Sequence, residues 1–395
     1  MNRFGQFLVL LSVVGMLAVG CDSKKSPPAK PAPPPVTEQA TPAPPTPAPE
    51  AKPVAAEPAK APVAPVVPEP PAEPLGTPTG TFVDRAAGAE LRFVCYNILW
   101  NSIFPEVSES GAEKFVRVMR ALNPDVLALQ EIAKPSWTKE ENYREWSAGD
   151  VVRLMNVISP LPGGASWHGH QAYDNVIVSR YPLKMTAEQT KPAGDRSQAM
   201  ALVDLPDGEF PVDLYVMNNH YKCCGGEKND PRRQKQSDSI VSWIDDARTP
   251  GGEIDLPERT GFIVCGDLNI VGGFQPVQTL IDGDIVGEED FGPDSPPDWD
   301  GTSLVDLHPL HNVVGPDDYT WRNDQGKWDP GRIDFVVYSD SVLEAVHKFI
   351  LNTTTMSDAD LKAAGLMSRD ICVDSDREDF DHLPLVVDFR VMRVK

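Results

Sequence analysis

Short apolar runs and amphipathic stretches alternate along residues 90–391. The apolar runs are bounded by Gly, Pro, Asn and Asp and are rich in Val, Ile, Phe and Tyr, a pattern that predicts buried strands. The predicted strands lie at 91–98, 125–131, 174–179, 198–205, 212–220, 261–267, 333–339, 345–351 and 383–391. The chain shows no internal repeat.

Three amphipathic stretches predict helices at 111–122, 149–158 and 229–247. Pro124 bars continuation of the first helix, whose apolar residues recur at helical spacing. The third begins with Asp230 as the predicted N-cap and Pro231 in its first turn. The apolar face of the first helix comprises Phe115, Val118, Met119 and Leu122. Many strands with interspersed helices predict an α/β or α+β domain built around one large sheet or a pair of sheets.

Residues 1–21 read as a secretory signal, with one basic residue followed by an apolar segment too short to span a bilayer comfortably. The segment ends "LAVGC", which resembles a bacterial lipobox, although Ala18 stands where Leu is usual. The resemblance implies that Cys21 is lipidated. We therefore expect an exported lipoprotein anchored to a membrane of the cell envelope. Ordinary signal cleavage near Gly20 is the alternative.

Residues 22–80 consist largely of Pro, Ala, Glu and Lys and contain almost no large apolar side chain. Such a segment cannot bury a core, so we predict a disordered, extended tether. At about 3.1 Å per residue its upper limit of reach is on the order of 180 Å. The remaining residues, 81–395, are predicted to form one catalytic domain.

The net negative charge of the chain belongs to this domain. Residues 1–80 hold six acidic and six basic residues, so the formal net charge of −22 belongs to 81–395. An acidic domain does not suit a module that grips nucleic acid by bulk charge. It does suit clustered carboxylates that hold a cation, or a soluble exported protein.

Cysteine usage leaves the thiol pairing open. Without Cys21, five cysteines remain, an odd number, so at least one is free. Cys95 and Cys265 lie in apolar strands and are predicted to be buried thiols. The other three, Cys223, Cys224 and Cys372, lie in polar segments. One of the two loop cysteines could pair with Cys372.

Polar side chains recur where the predicted strands end. These residues are Asn97, Glu131, His220, Asp267, Asn269, Asp334, Asp381 and His382. Asp and Asn are also common turn residues, and each position alone has that simpler interpretation. Together they indicate a functional site on one rim of the sheets, where α/β enzymes tend to build their sites.

An ordered set of motifs gives these residues a context. They are "CYNILW", "LALQE", "DNVIVSRYPL", "MNNHYK", "GDLNI", "TWRNDQGKWDPGRIDFV" and "DFDHLPLV". With them the chain resembles the endonuclease/exonuclease/phosphatase superfamily of metal-dependent phosphoesterases over essentially all of 90–391. The resemblance implies a four-layer α-β-β-α sandwich of two packed mixed sheets flanked by helices, with a divalent-metal site at one end.

The resemblance also implies roles for individual residues. Glu131 would be the principal ligand of Mg²⁺, with Mn²⁺ as a possible substitute, and Asn97 would assist at the metal or at a phosphate oxygen. Asp381 matches a further metal ligand of some relatives. The family usually carries a small residue before the final Asp-His pair, where this chain has Phe380.

The catalytic roles follow the chemistry of phosphoester hydrolysis, which needs charge neutralisation, an activated water and a protected leaving oxygen. His382 would take the proton from the attacking water, and Asp334 would orient its ring. Asp267 and Asn269 would align the nucleophile and donate to developing charge. His220 matches a second histidine that donates to a phosphate oxygen or to the leaving group.

The substrate is less specified. Tyr173 and Asn175 lie where abasic-site enzymes carry substrate contacts, and a basic cluster beside His220 is a candidate phosphate contact or merely a solvated helix start. Its members named as substrate contacts are Lys222, Arg232 and Arg233. We expect a monomeric phosphodiesterase acting on nucleic acid. A lipid headgroup is the second choice, a phosphomonoester a further alternative, and a catalytically inactive binding module the least favoured.

Overall fold

The computed structural model describes residues 80–135, 138–139, 143–189, 196–323, 326–371 and 380–393. In chain order these form β1 (Leu91–Asn97), α1 (Glu109–Leu122), β2 (Val126–Gln130), α2 (Ala148–Ile158), β3 (His168–Ala172), β4 (Asn175–Ser179), β5 (Leu183–Gln189), β6 (Gln198–Val203), β7 (Leu214–His220), α3 (Asp230–Arg248), β8 (Gly261–Asp267), α4 (Gln275–Asp282), α5 (Glu288–Phe291), β9 (Val305–Asp306), β10 (Asp334–Tyr338), β11 (Leu343–Ile350), α6 (Asp358–Ala364) and β12 (Leu385–Val391). The predicted signal, the tether up to residue 79 and Cys372 lie outside the described residues.

The strands form two six-stranded sheets. The first sheet has the order β11-β12-β1-β2-β4-β3, and the second has the order β5-β6-β7-β8-β10-β9. Each contains one parallel pair near its centre, β1 with β2 and β7 with β8, and its other pairs are antiparallel. A parallel pair brings two carboxyl ends to one edge, and the antiparallel neighbours bring their amino ends to the same edge.

The central strands are buried on both faces. Every residue of β1, β2, β4, β6, β7, β8 and β10 is buried. Helices α1 and α2 belong to one hydrophobic cluster with the first sheet, and α3 and α4 belong to another with the second. One face of each sheet therefore packs on the other sheet and the opposite face on helices. This arrangement confirms the predicted four-layer sandwich.

The first helix matches its sequence pattern closely. The four residues of its predicted apolar face are all fully buried. The Ser108 hydroxyl accepts a hydrogen bond from the Gly111 amide at the start of α1, and Asn123 ends the helix in the left-handed conformation (φ 45°). At α3 the prediction was off by one residue, because the N-cap is Asn229 and Asp230 is the first helical residue.

Several elements were not predicted. Strands β3, β5 and β9 lie at or near sheet edges, where a strand needs no apolar run; β3 has the sequence HGHQA and is half exposed. Helices α4, α5 and α6 have eight, four and seven residues, too short for a clear helical period. Cys95 and Cys265 are fully buried, as predicted. None of the described helices has both the length and the apolar character needed to cross a membrane.

A buried ion pair links the two central antiparallel strands of the first sheet. Arg92 in β1 lies opposite Asp388 in β12, and its Nε and Nη2 donate to the two carboxylate oxygens at 2.6 and 2.8 Å. Its Nη1 donates to the carbonyls of Val83 and Leu122, at 2.7 and 2.9 Å. Both charged side chains are almost wholly buried. The pair therefore ties the N-terminal segment and the end of α1 to the sheet.

Replacing Asp388 with Asn should leave the Arg92 guanidinium charged, buried and without its counter-ion. We expect a loss of about 3–5 kcal/mol in the free energy of unfolding, measured by urea denaturation. The matched control is Glu344→Gln in β11, which breaks a more exposed ion pair with Arg390, a residue of the same strand as Asp388. This change should lower the free energy of unfolding by no more than about 1 kcal/mol. Equal losses in the two variants would contradict the assigned role.

Candidate active site

The predicted strand-end residues converge on one edge of the sandwich. Asn97 and Glu131 end or follow the parallel strands of the first sheet, and His220 and Asp267 end those of the second. His220 and Asp267 are register partners across β7 and β8. Asp334 opens β10, the antiparallel neighbour of β8. Topology alone therefore brings these side chains together.

Asn97 bridges the two sheets. Its Nδ2 donates to Glu131 Oε1 at 3.2 Å and to Asp267 Oδ2 at 3.1 Å, while its Oδ1 accepts a hydrogen bond from the Leu99 amide at 3.2 Å. The side chain is 1% exposed. A neutral donor in this position separates two buried carboxylates without adding a charge of its own.

Glu131 is a largely enclosed carboxylate, with 12% of its side chain exposed. The residue has a left-handed backbone (φ 71°), which is uncommon for a side chain other than Gly, Asn or Asp. Its Oε2 accepts a hydrogen bond from the Trp100 amide at 2.9 Å. Burial, aided by the charge of Asp381, raises the pKa of Glu131 to about 7, although His220, His382 and Asn97 oppose this shift. Nearby positive charge would reverse it.

His382 and Asp334 form the first histidine–carboxylate pair. The Nδ1 of His382 donates to Asp334 Oδ2 at 2.8 Å, and the Asp334 amide donates to Thr320 Oγ1 at 2.9 Å. Burial opposes protonation of His382, but the charge and hydrogen bond of Asp334, with Asp267 and Asp381, hold its pKa well above its ordinary value. The Nε2 atom remains directed towards Asp267 Oδ2, 3.8 Å away.

His220 and Asp174 form a second pair, which the sequence analysis did not identify. The Nδ1 of His220 donates to Asp174 Oδ2 at 2.8 Å, and Arg196 Nε lies 3.5 Å from the same oxygen. Asp174 is fully buried in the turn between β3 and β4. The residues on either side, Tyr173 and Asn175, were named from the sequence. Asp174 itself was included only as the first residue of the predicted strand 174–179.

Both pairs cross from one sheet to the other. His220 lies in the second sheet and Asp174 precedes β4 of the first, whereas His382 precedes β12 of the first sheet and Asp334 lies in the second. The two Nε2 atoms converge on Asp267 Oδ2, at 3.4 Å from His220 and 3.8 Å from His382. The carboxylate of Asp267 therefore stands at the centre of the site.

Asp267 and Asn269 form a turn at the edge where the strand-end side chains meet. The Asn269 amide donates to Asp267 Oδ1 at 2.9 Å, and Asn269 takes a left-handed backbone (φ 50°). The preceding Gly266 has φ 131°, and a Cβ there would lie 1.8 Å from the Asn219 carbonyl oxygen, so only glycine fits. The Asn269 Nδ2 donates to the Tyr221 carbonyl at 3.3 Å. The two interpretations weighed from the sequence are therefore compatible.

The donor set fits a divalent cation. Asp267, Asp334 and His382 each offer a ligand atom, and these atoms lie within 4.8 Å of one another. Asp334 Oδ1 is buried and has no hydrogen-bond partner among the described residues. Hard carboxylate oxygens at such density are the ligands that Mg²⁺ and Mn²⁺ prefer. Of the predicted ligands, Asp381 is engaged at Oδ2 by the Trp321 indole N–H at 3.1 Å.

The predicted substrate contacts fall into three situations. Tyr173 is 46% exposed beside the Asp174 turn, whereas Asn175 is fully buried, with its Nδ2 on the Ser197 carbonyl and its Oδ1 without a described partner. Lys222 and Arg232 are half-buried on the loop after β7 and on the first turn of α3. The structure corrects the interpretation of Arg233, the fifth of these residues.

Arg233 is 1% exposed, so it is not available to a substrate phosphate. Its Nη1 donates to the carbonyls of Lys222 and Cys224 at 2.7 and 2.9 Å, and its Nη2 donates to Asp230. Every contact is thus made within the loop and the first turn of α3. The sequence showed a basic cluster but could not show that one of its charges points inward to hold the loop.

Replacing Glu131 with Gln should change how stability depends on pH. The folded-state pKa of about 7 lies above the reference value of 4.5, so the wild-type free energy of unfolding should fall as pH rises through this window. The full loss is on the order of 3 kcal/mol. In the presence of a chelator, the free energy of unfolding of Glu131→Gln should increase relative to that of the wild type as the pH rises from 5 to 8. Urea denaturation across that range is the measurement.

Added Mg²⁺ should then stabilise the wild type at pH 8 by more than it stabilises the variant. The exposed Glu113→Gln on α1 serves as control and should show neither effect. A difference between Glu131→Gln and the wild type that is constant across pH would contradict the assigned burial of this carboxylate.

Comparison with known proteins gave a match to a family model and matches to solved structures. A family model described as the endonuclease/exonuclease/phosphatase family matches residues 94–358, and no curated protein matches the chain. Among solved structures, an endonuclease/exonuclease/phosphatase from Beutenbergia cavernae is 18% identical, with 77% of this chain and 72% of that chain covered and a TM-score of 0.46. The catalytic domain of human Nocturnin, solved with a sulfate anion, is 14% identical, with coverages of 76% and 94% and a TM-score of 0.45.

ANGEL2, a 2′,3′-cyclic phosphatase solved with adenosine-2′,3′-vanadate, is 15% identical, with coverages of 76% and 95% and a TM-score of 0.47. Members of the matched family are hydrolytic phosphoesterases and typically depend on a divalent metal. The match extends from strand β1 to the start of helix α6, which is more than half of the sequence. The chain therefore belongs to the endonuclease/exonuclease/phosphatase family.

Proposed function

We propose that this protein hydrolyses phosphodiester bonds with the help of a divalent cation, Mg²⁺ first and Mn²⁺ as a substitute. The observation that carries the proposal is the pair of buried His–Asp couples whose Nε2 atoms lie 3.4 and 3.8 Å from one carboxylate oxygen of Asp267. Two proton-handling groups facing one point suit a reaction that must both activate a water and protect a departing oxygen.

The cation would be held by the carboxylate oxygens of Glu131 and Asp267, both contacted by Asn97, with Asp381 as a further ligand. Asp334 and His382, the other two members of the cluster around Asp267, are assigned instead to proton transfer. When bound, it would neutralise phosphate charge and stabilise the oxyanions of the reaction. Without a cation, an anionic phosphodiester would meet the buried carboxylates of Asp174, Glu131 and Asp267. Burial, aided by the charge of Asp381, raises the pKa of Glu131 to about 7, and the charge of a bound cation would oppose that shift.

His382 is proposed as the general base. Because its Nδ1 donates to Asp334, the neutral ring presents a bare Nε2 that can accept a proton from water. Asp334 fixes the ring orientation and stabilises the imidazolium that forms, as in other histidine–carboxylate couples. Asn269, placed beside Asp267 by its turn, is proposed to help align the reacting groups.

His220 is proposed to donate to a phosphate oxygen or to the leaving oxygen. Asp174 accepts a hydrogen bond from Nδ1 and orients the ring, so the form of His220 that donates is the imidazolium, whose second proton is on the Nε2 directed into the site. Arg196 connects to this couple through Asp174 and also donates to the Tyr221 carbonyl at 3.0 Å, which fixes the chain just past His220. A leaving-group donor is most useful when the leaving group is a poor one, as in a natural diester.

Nucleic acid is the proposed substrate class, and a lipid headgroup is the second candidate. Because Arg233 is not a substrate contact, Lys222 and Arg232 are the proposed substrate contacts that remain in the basic cluster beside His220. A domain with a net charge of −22 should then bind a polyanion through few phosphate contacts. Its affinity would depend only weakly on salt, with about 0.9 in the log–log slope for each contact.

The two histidine couples can be separated by the leaving group of the substrate. We expect His382→Ala to lower kcat/KM by ~10²–10⁴-fold with a natural diester and with a nitrophenyl diester alike, because both need the attacking water deprotonated. His220→Ala and Asp174→Asn should lose much less with the nitrophenyl ester, whose leaving group needs no proton. Steady-state rates on both esters, with Mg²⁺ and after chelation, are the measurement.

The control is His168→Ala, an exposed position at the far end of β3. The pH dependence gives a second readout. Since the neutral form of His382 acts, activity should rise with pH through its elevated pKa, and Asp334→Asn should move that limb to lower pH by removing the charge that raises it. Equal losses of His220→Ala on the two esters would refute the leaving-group role, and full activity after chelation would refute the metal.

We further propose that the mature protein is monomeric and is anchored to a membrane through a lipid on Cys21, with the segment 22–80 as the tether. Cys21→Ser should therefore move the protein from the membrane fraction to the soluble fraction of the cell envelope, detected by fractionation and immunoblotting. Ser23→Ala, two residues further on, is the matched control and should remain with the membrane. Retention of Cys21→Ser in the membrane would place the anchor elsewhere.

A further inference from the structure

We propose that Cys223 and Cys224 form a reversible thiol–disulfide site beside the active site. The two Sγ atoms lie 3.1 Å apart, with the Cys224 thiol donating to Cys223. Cys223 is half-buried and Cys224 is exposed, so small thiols and disulfides can reach both. The pair begins three residues after His220 and directly after Lys222, and the proposed hydrolysis assigns no role to either cysteine.

The peptide backbone holds the two thiols together. Arg233 Nη1 donates to two carbonyl oxygens that flank Cys223. One is Lys222 O, at 2.7 Å, and the other is Cys224 O, at 2.9 Å. Asn229 Nδ2 adds a contact to Cys224 O at 3.2 Å. Because the guanidinium is buried, this clamp is itself fixed, and the dipeptide is ordered before any bond forms.

Cys224 has a left-handed backbone with φ 71°, a conformation that a cysteine seldom adopts. Side chains other than Gly, Asn and Asp that are held in this region tend to cluster at functional sites, where the surrounding contacts maintain the strain. Here the contacts are those of Arg233 and Asn229. The strained residue and its clamp thus coincide with the vicinal thiols.

The two sulfurs are not equivalent. The hydrogen bond to Cys223, together with partial burial, raises the pKa of the Cys224 thiol, so this sulfur keeps its proton. Cys223 accepts that hydrogen bond and lies 3.9 Å from the Lys222 ammonium. Cys223 is therefore the attacking sulfur and Cys224 the resolving one.

The chemistry is thiol–disulfide exchange with a low-molecular-weight disulfide such as glutathione disulfide. The Cys223 thiolate attacks one sulfur of that disulfide, a mixed disulfide forms, and one thiolate leaves. Cys224, once deprotonated, attacks the Cys223 sulfur and expels the second thiolate. Two cysteine thiols are oxidised to one disulfide, and the incoming disulfide is reduced to two thiols, which take up the two protons.

The product should be easily reduced. Adjacent Cα atoms are about 3.8 Å apart across a trans peptide, below the lower limit of about 4.4 Å usual for disulfides. Strain of this kind makes the bond more reducible, which is typical of regulatory rather than structural disulfides. By contrast, Cys95 and Cys265 are fully buried, and burial raises the pKa of Cys95 far above its usual value, so they should remain inert.

The test equilibrates the full chain in glutathione buffers of graded oxidation, quenches it with acid and maps the cysteines by peptide mass spectrometry. We expect one two-electron transition that links Cys223 to Cys224 with loss of two hydrogen atoms. Phenylarsine oxide requires two adjacent thiols. The reduced chain should bind one equivalent of it, and the Cys223→Ser and Cys224→Ser variants should bind none.

The clamp is tested separately. Arg233→Met and Asn229→Ala should each require a more oxidising buffer for half-conversion, Arg233→Met by roughly tenfold in the glutathione ratio because the dipeptide is no longer preorganised. Lys235→Met, an exposed position on the same helix, is the matched control. A disulfide to Cys372, a stable glutathione adduct on either loop cysteine, or no oxidation at these residues would overturn the proposal.

Discussion

The site depends on the containment of buried negative charge where the two sheets meet. Asp174, Glu131, Asp267 and Asp334 are all buried or nearly so, and like charges in a low dielectric repel strongly. Hydrogen bonds from neutral donors and from histidine side chains offset this repulsion. Asn97 contacts two of the carboxylates, and each remaining aspartate orients a ring. The arrangement leaves a residual demand for positive charge, and that demand makes the site suited to a cation and, through it, to an anionic substrate.

Much of the fold could be predicted because its determinants are local. Continuous apolar runs gave the central strands, helical spacing gave α1, and the residues at the strand ends gave Asn97, Glu131, His220 and Asp267. The edge strands and short helices could not be predicted, since a polar segment such as His168–Ala172 becomes a strand only by pairing with a neighbour. Sequence periodicity carries no record of that pairing.

The two errors at the site have a common physical cause. Asp174 was predicted only as the first residue of a strand, and Arg233 was predicted as an accessible cation that could contact phosphate. In both positions the side chain points inward, and its direction is set by tertiary contacts rather than by its neighbours in the chain. Asp174 meets a histidine 46 residues away, whereas Arg233 meets carbonyls 9 and 11 residues away. Residue type indicates what a group can do, but not which way it faces.

Both histidine couples and the Asn97 bridge join residues of opposite sheets. The active centre is thus assembled from two sheets, which are joined by apolar packing and by the buried hydrogen bonds of Asn218 to the first sheet. A small displacement of one sheet relative to the other would pull each histidine from its aspartate while most of the apolar surface stayed buried. Core substitutions far from the active site can therefore misalign the histidine–aspartate pairs and lower activity while the protein remains folded.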